Sequence, residues 1–188
     1  MSAKSAELPA WALSGRAHWR YTGSERPPFA VAPAAGQESV WDYPRPPRVV
    51  PDARLVVVRL GGVEIARTNS ALRVLETASP PTFYLPVADI DRNCLRPGPG
   101  GSRCEWKGEA RYFNVLAAGA LLEAAAWSYP EPLPGMEAIR DHVSFYPSRL
   151  ECEVAGERVR PQPGRFYGGW ITSELVGPFK GEPGSGGW

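Results

Sequence analysis

The chain has 188 residues and a formal net charge of +1, from 21 basic and 20 acidic residues that are well mixed. No basic stripe is present, which argues against nucleic-acid binding by phosphate neutralisation. No apolar run approaches the roughly 20 residues of a membrane-spanning helix. At 43% hydrophobic content the chain suits one domain with extensions.

Pro 21 and Gly 20 exceed a fifth of the residues, but seven Trp, seven Tyr and six Phe argue against disorder. The start, Met1 to Glu7, has no apolar leader run. Cys94, Cys104 and Cys152 are odd in number and irregular in spacing, as expected of a cytoplasmic protein with reduced thiols.

Residues 1–40 are polar and broken by Gly15, Gly23, Pro27, Pro28 and Pro33. They read as an irregular arm anchored by Trp11, Trp19, Tyr21 and Phe29, since each ring can bury on the order of 150–250 Å². A core follows over residues 41–160. Leu55 to Val58, Gly61-Gly62 and Val63 to Ala66 form a hairpin signal. The stretch Ser70 to Thr77 fits a strand or a helical turn. As a strand, it places Leu72, Val74 and Glu76 on one face and Arg73, Leu75 and Thr77 on the other. Pro80 and Pro81 close that segment.

Thr82 to Leu85 reads as a strand, Pro86 to Arg92 as a helical turn and Pro97 to Gly101 as a loop. Glu109 to Leu116 and Leu121 to Trp127 form a second hairpin-like pair. Met136 to His142 reads as a short helix, and Val143 to Tyr146 and Leu150 to Val154 as strands. The tail, residues 161–188, is rich in Gly and Pro. Its rings Phe166, Tyr167, Trp170 and Phe179 are expected to pin it to the core. Many short strands at about 8–12-residue spacing indicate a single all-β domain built on antiparallel pairing.

Several motifs occur in a specific order. They are Val40-Trp41-Asp42-Tyr43-Pro44-Arg45-Pro46-Pro47, Arg73 to Thr77 with Pro80 to Tyr84, Cys104-Glu105-Trp106-Lys107-Gly108, and Ala126 to Pro132. Together with His142 to Tyr146 they resemble a bacterial family known as domain of unknown function 427, over roughly residues 41 to 160. The resemblance implies a single compact all-β domain of bent antiparallel sheets, β-tent-like, with one or two short helices and irregular extensions at both ends. The family also carries a nucleotidyltransferase-like label. Such enzymes hold Mg²⁺ with paired acidic residues beside a phosphate-binding turn. Here the sole Asp-x-Asp pair is Asp89-Ile90-Asp91, and no Gly-rich loop precedes Lys-Ser/Thr.

Three clusters are candidates for chemistry. In Cys104 to Gly108, a thiol near a lysine favours thiolate, with Lys107 as anion anchor and Glu105 as its orienting partner. Strand alternation would part Cys104 from Lys107, and the competing reading is a small buried Cys beside an exposed ion pair. Arg73 and Glu76, charges inside an apolar segment, are either a structural pair or pocket groups. Trp127, Tyr129 and Trp106, with Tyr84 or Tyr112, either line an aromatic pocket with Glu131 at its rim or pack a ring-rich core. Cys94, Cys104, Cys152 and His142 have zinc-ligand chemistry but lack knuckle spacing, so no metal or other cofactor is assigned.

The leading expectation is a ring-lined small-molecule site. Arg73 and Lys107 would hold an anionic group, Glu76 and Glu105 accept hydrogen bonds, Trp127 and Tyr129 stack on the ligand, and Glu131 rim the site. The alternatives are an enzyme using Cys104 or Glu105 with Lys107, and a structural protein whose arm and tail mediate homo-oligomer formation. No nucleic-acid or membrane partner is expected.

Overall fold

Alternating apolar residues and glycine-marked turns drive this chain into antiparallel strands. The structure, a computed structural model, describes residues 7–188. The leader-free reading of the first residues therefore lies, up to residue 6, outside the described part. Helix α1 (Ala10–Arg16) is followed by β1 (Glu38–Ser39), β2 (Arg48–Asp52), β3 (Val56–Leu60), β4 (Val63–Thr68), β5 (Ala71–Glu76) and β6 (Ser79–Pro86). Then come β7 (Leu95–Cys104), β8 (Gly108–Ala117), β9 (Ala120–Ser128), β10 (His142–Phe145) and β11 (Glu151–Val154). The core ends with β12 (Glu157–Arg158), β13 (Arg160–Pro161) leads out of it, and the tail adds β14 (Trp170–Ile171) and β15 (Leu175–Val176).

Seven strands form the main sheet in the order β2-β5-β6-β10-β9-β8-β7, and four form a second sheet, β12-β11-β3-β4. Period-2 alternation gives the main sheet two buried faces. Phe83, Leu85, Val115, Ala126, Val143 and Phe145 pack on Val56, Val58, Ile65, Cys152 and Val154 of the second sheet. The opposite face presents Val74, Tyr84, Ala110, Trp127 and Tyr129, backed by Met136 and Ile139. A third cluster joins arm and tail. There Trp41 is fully buried and packs edge-on to Tyr21, Phe29 and Trp188.

The glycine-pair hairpin forms as expected, and the ambiguous segment is strand β5, paired with β2 and β6. Four local readings are corrected. Pro80 and Pro81 lie inside β6 rather than closing β5; the turn is made at Ala78, whose φ is 68°. Pro97 to Gly101 belongs to β7, where a bulge absorbs the proline. Met136 to His142 shrinks to a single 3₁₀ turn, Glu137–Ile139, because His142 joins β10. The arm carries one real helix, α1.

Trp170 pins the tail, stacking on Phe83 and donating from Nε1 to the Phe145 carbonyl at 3.0 Å. Phe166 does not pin it; the residue is 61% exposed. Among the described residues no helix is long and apolar enough to cross a membrane.

Candidate functional site

The second buried face of the main sheet does not close on itself. It opens into a cavity of about 170 Å³. Alternation along β5 sends Val74 and Glu76 towards it, and β6 sends Tyr84. Tyr112 of β8, Trp127 of β9 and Tyr129 just beyond complete the sheet wall. Trp127 donates weakly to the Tyr84 hydroxyl at 3.4 Å.

The β7–β8 turn supplies the polar wall. A continuous strand would have parted Cys104 from Lys107. Instead the chain turns over Glu105, Trp106 and Lys107, and Cys104 pairs with Gly108. Cys104, Glu105 and Lys107 therefore all line the cavity. Gly108 sits at φ 110°, where an added Cβ would meet the Glu131 carbonyl at 3.1 Å. The Leu133 N–H donates to the Lys107 carbonyl at 3.1 Å, so the Tyr129–Pro132 segment braces this turn. Trp106 is turned away, buried under the Arg16 guanidinium.

Glu76 is the electrostatic hub. Its Oε1 lies 3.2 Å from the Arg45 guanidinium and its Oε2 3.7 Å from Lys107 Nζ. The Arg45 side chain is 1% exposed and also donates to the carbonyls of Tyr21 at 2.8 Å and Thr77 at 2.9 Å. Burial pulls the Arg45 pKa down against the pull of Glu76. Burial works against the Lys107 ammonium too. Cys104, Glu76, Tyr84 and Tyr129 outweigh it, so Lys107 titrates well above the ordinary lysine range. Burial raises the Tyr84 phenol to about 12, although Lys107 and the Trp127 N–H favour its anion.

Arm and tail roof the cavity. Trp19 Nε1 donates to Glu105 at 2.6 Å, and Arg16 Nε to the Glu105 carbonyl at 2.8 Å. From the tail, Gln162, Phe166, Tyr167, Gly168 and Lys180 contribute to its lining, with Phe166 at the exposed rim. Gly168 lies flat on Trp127, where an added Cβ would sit 2.1 Å from Cη2. Lys180 Nζ stands 3.3 Å from the Trp19 ring centroid, and Arg45 Cζ 4.4 Å from the same centroid. Burial lowers the Lys180 pKa to about 8, with Arg45 adding to the effect while Glu76, Glu105 and Cys104 oppose it.

Of the expected site residues, Glu76, Cys104, Glu105, Lys107, Trp127 and Tyr129 share this cavity. Arg73 and Glu131 do not line it. Arg73 is on the opposite face of β5, 3.2 Å from both Asp52 and Glu38, and Glu131 is exposed on the outer side of the bracing segment. Arg45, Trp19, Gln162 and Lys180 were not foreseen. One signal existed for Lys180: the chain has three lysines, Lys4, Lys107 and Lys180, against eighteen arginines.

Cys94 and Cys152 are buried in the inter-sheet core, remote from the cavity lining. Among the described residues no three Cys, His, Asp or Glu side chains gather as a metal site. Asp89 and Asp91 serve local structure, accepting from the Thr68 hydroxyl at 2.6 Å and the Asn93 N–H at 2.9 Å.

The four motifs singled out in the sequence thus meet at one place: Arg45, Glu76, Lys107 and the Trp127–Tyr129 wall. Comparison with functionally curated proteins finds no match. A family model described as Domain of unknown function (DUF427) matches residues 48–156, more than half of the chain. The chain belongs to the DUF427 family.

Proposed function

We propose that the cavity binds a small planar molecule bearing an anionic group. Trp127, Tyr129 and Tyr84 would flank the body of the ligand, and Lys107 would take the anion. The observation that carries this reading is the charge inventory around Glu76. Arg45, Lys107 and Lys180 gather near two carboxylates, Glu76 and Glu105, and Glu105 already accepts from Trp19. Lys107 keeps its ammonium in this partly desolvated, ring-lined space, where an anion is worth more than in water.

A thermal-shift screen of planar carboxylates and phosphates tests the reading. A ligand at 100 times its Kd adds about 2.7 kcal/mol, or roughly 5–11 °C in Tm for a chain of this size. Lys107→Met should abolish the shift while remaining folded by circular dichroism. If no planar anion moves the Tm of the wild-type protein, the reading fails.

A second reading, catalysis by Cys104, has one observation in its favour. The β7–β8 turn sets the sulfur on the same wall as Lys107. It predicts cavity-directed alkylation of Cys104 that a bound planar anion blocks, and Cys104→Ser separates it from simple binding.

A further inference from the structure

The cation chemistry of this chain is made almost entirely by arginine. Of the ion pairs among the described residues, Lys107 with Glu76 is the one made by a lysine. With three lysines in 188 residues, two line the same cavity. Arginine would serve equally well there for charge alone. Only lysine can release its proton and present a nucleophilic lone pair.

We infer that Lys180 is an imine-forming amine, whose Nζ condenses with the aldehyde or ketone carbon of a planar, anionic carbonyl compound seated in the cavity. The inference rests on the anion-binding reading above and deepens it by naming the ligand class. Lys107 keeps its ammonium beside Glu76 and takes the anionic group, which leaves Lys180 as the second, reactive amine.

The position of Lys180 is fixed from both sides of its backbone. Its N–H donates to the Ala78 carbonyl at 2.7 Å, and its carbonyl accepts from Gln162 Nε2 at 2.9 Å. The residue is 3% exposed. Nζ rests on the Trp19 ring and donates to the main-chain oxygen of Trp188 at 3.2 Å, and among the described residues no Asp or Glu side chain lies within ion-pair distance of it. Tyr167 of the tail stands 5.5 Å away across the same space. Such a desolvated amine near a guanidinium reaches its neutral form close to physiological pH.

The step balances without a further reagent. The neutral amine attacks the carbonyl carbon, a C–N bond forms, and one N–H proton passes to the former carbonyl oxygen. The resulting carbinolamine expels that oxygen as water, taking the second N–H proton. Amine plus carbonyl gives imine plus water.

Pyridoxal 5′-phosphate is a suitable probe, being a planar aldehyde with an anionic arm. Pyridoxine 5′-phosphate is its alcohol twin, with no carbonyl to condense. Borohydride reduction after incubation with the aldehyde should leave one adduct on Lys180, located by peptide mapping, with Lys4 and Lys107 unlabelled. Labelling should rise several-fold from pH 7 to pH 9 as the ammonium flanked by Glu76, Glu105, Cys104, Arg45, Lys107 and Tyr167 loses its proton. Lys180→Arg should remove the adduct yet still bind the alcohol, read as quenching of tryptophan fluorescence.

If the alcohol binds and the wild-type protein is not labelled at Lys180, this inference is overturned and the cavity reading stands. If neither probe binds, both are overturned. The map of the wild-type adduct decides the matter even if the variant does not fold.

Discussion

Replacing Glu76 with Gln keeps the shape of the side chain and removes the one carboxylate shared by Arg45 and Lys107. The Arg45 side chain is 1% exposed, Lys107 12% and Glu76 16%, so water cannot take over for the missing charge. Removing one partner of a buried ion pair costs about 3–5 kcal/mol. Arg45 keeps two carbonyl acceptors, Tyr21 and Thr77, which places the change at the lower end, about 3 kcal/mol. At roughly 2–4 °C per kcal/mol, the Tm should fall by about 6–12 °C. Urea denaturation at pH 7 gives the free energy directly. A double-mutant cycle with Lys107→Met should return a coupling of more than about 1 kcal/mol, because the second change removes the stranded ammonium. A Tm for Glu76→Gln within 2 °C or so of wild type would refute the hub.

Two further outcomes follow from the roof of the cavity. Gly168→Ala should destabilise by about 1–3 kcal/mol through overpacking against Trp127, since the Cβ would lie 2.1 Å from Cη2; an unchanged urea midpoint would show that the tail does not rest there. Lys180 titrates near 8 in the folded chain against an ordinary value of 10.5. Between these values the unfolded chain binds more protons, so this group makes stability rise with pH across that window. Buried Tyr84 and Cys152, whose folded pKa values are raised, act in the opposite sense at alkaline pH. The difference between wild type and Lys180→Met isolates the lysine, at about 1–3 kcal/mol after allowance for solvent screening. Parallel pH profiles for the two proteins would contradict it.

The sheet was legible because β-branched runs and turn residues speak locally. Val56 to Val58, Gly61-Gly62 and the alternation of Leu72, Val74 and Glu76 mark strands and their faces, while the bulges after Val58 and Val74 have no local signal. The two faces of β5 follow from that alternation, which as a strand parts Glu76 from Arg73, against the expectation that both line one site. Choosing which side holds the cavity required knowing where the second sheet packs, a long-range fact with no local signal. The pairing of Cys104 with Lys107 was misread for a simpler reason: a turn, not a strand, runs between them. Bulges hid β7, because Pro97 and three glycines at 98, 100 and 101 look like loop chemistry.

The roof was least legible. Trp19 and Lys180 are separated by most of the chain, and both lie outside the part matched by the family model. The walls come from the shared core, whereas the groups over the mouth come from arm and tail.

Calorimetric titration of one planar aryl carboxylate against its uncharged carboxamide tests the central claim most directly. The account predicts that the carboxylate binds the wild-type protein at least tenfold more tightly than the amide, a difference of about 1.4 kcal/mol, and that Lys107→Met erases that preference. Equal affinity for the two compounds, or a preference that survives the loss of Lys107, would contradict it.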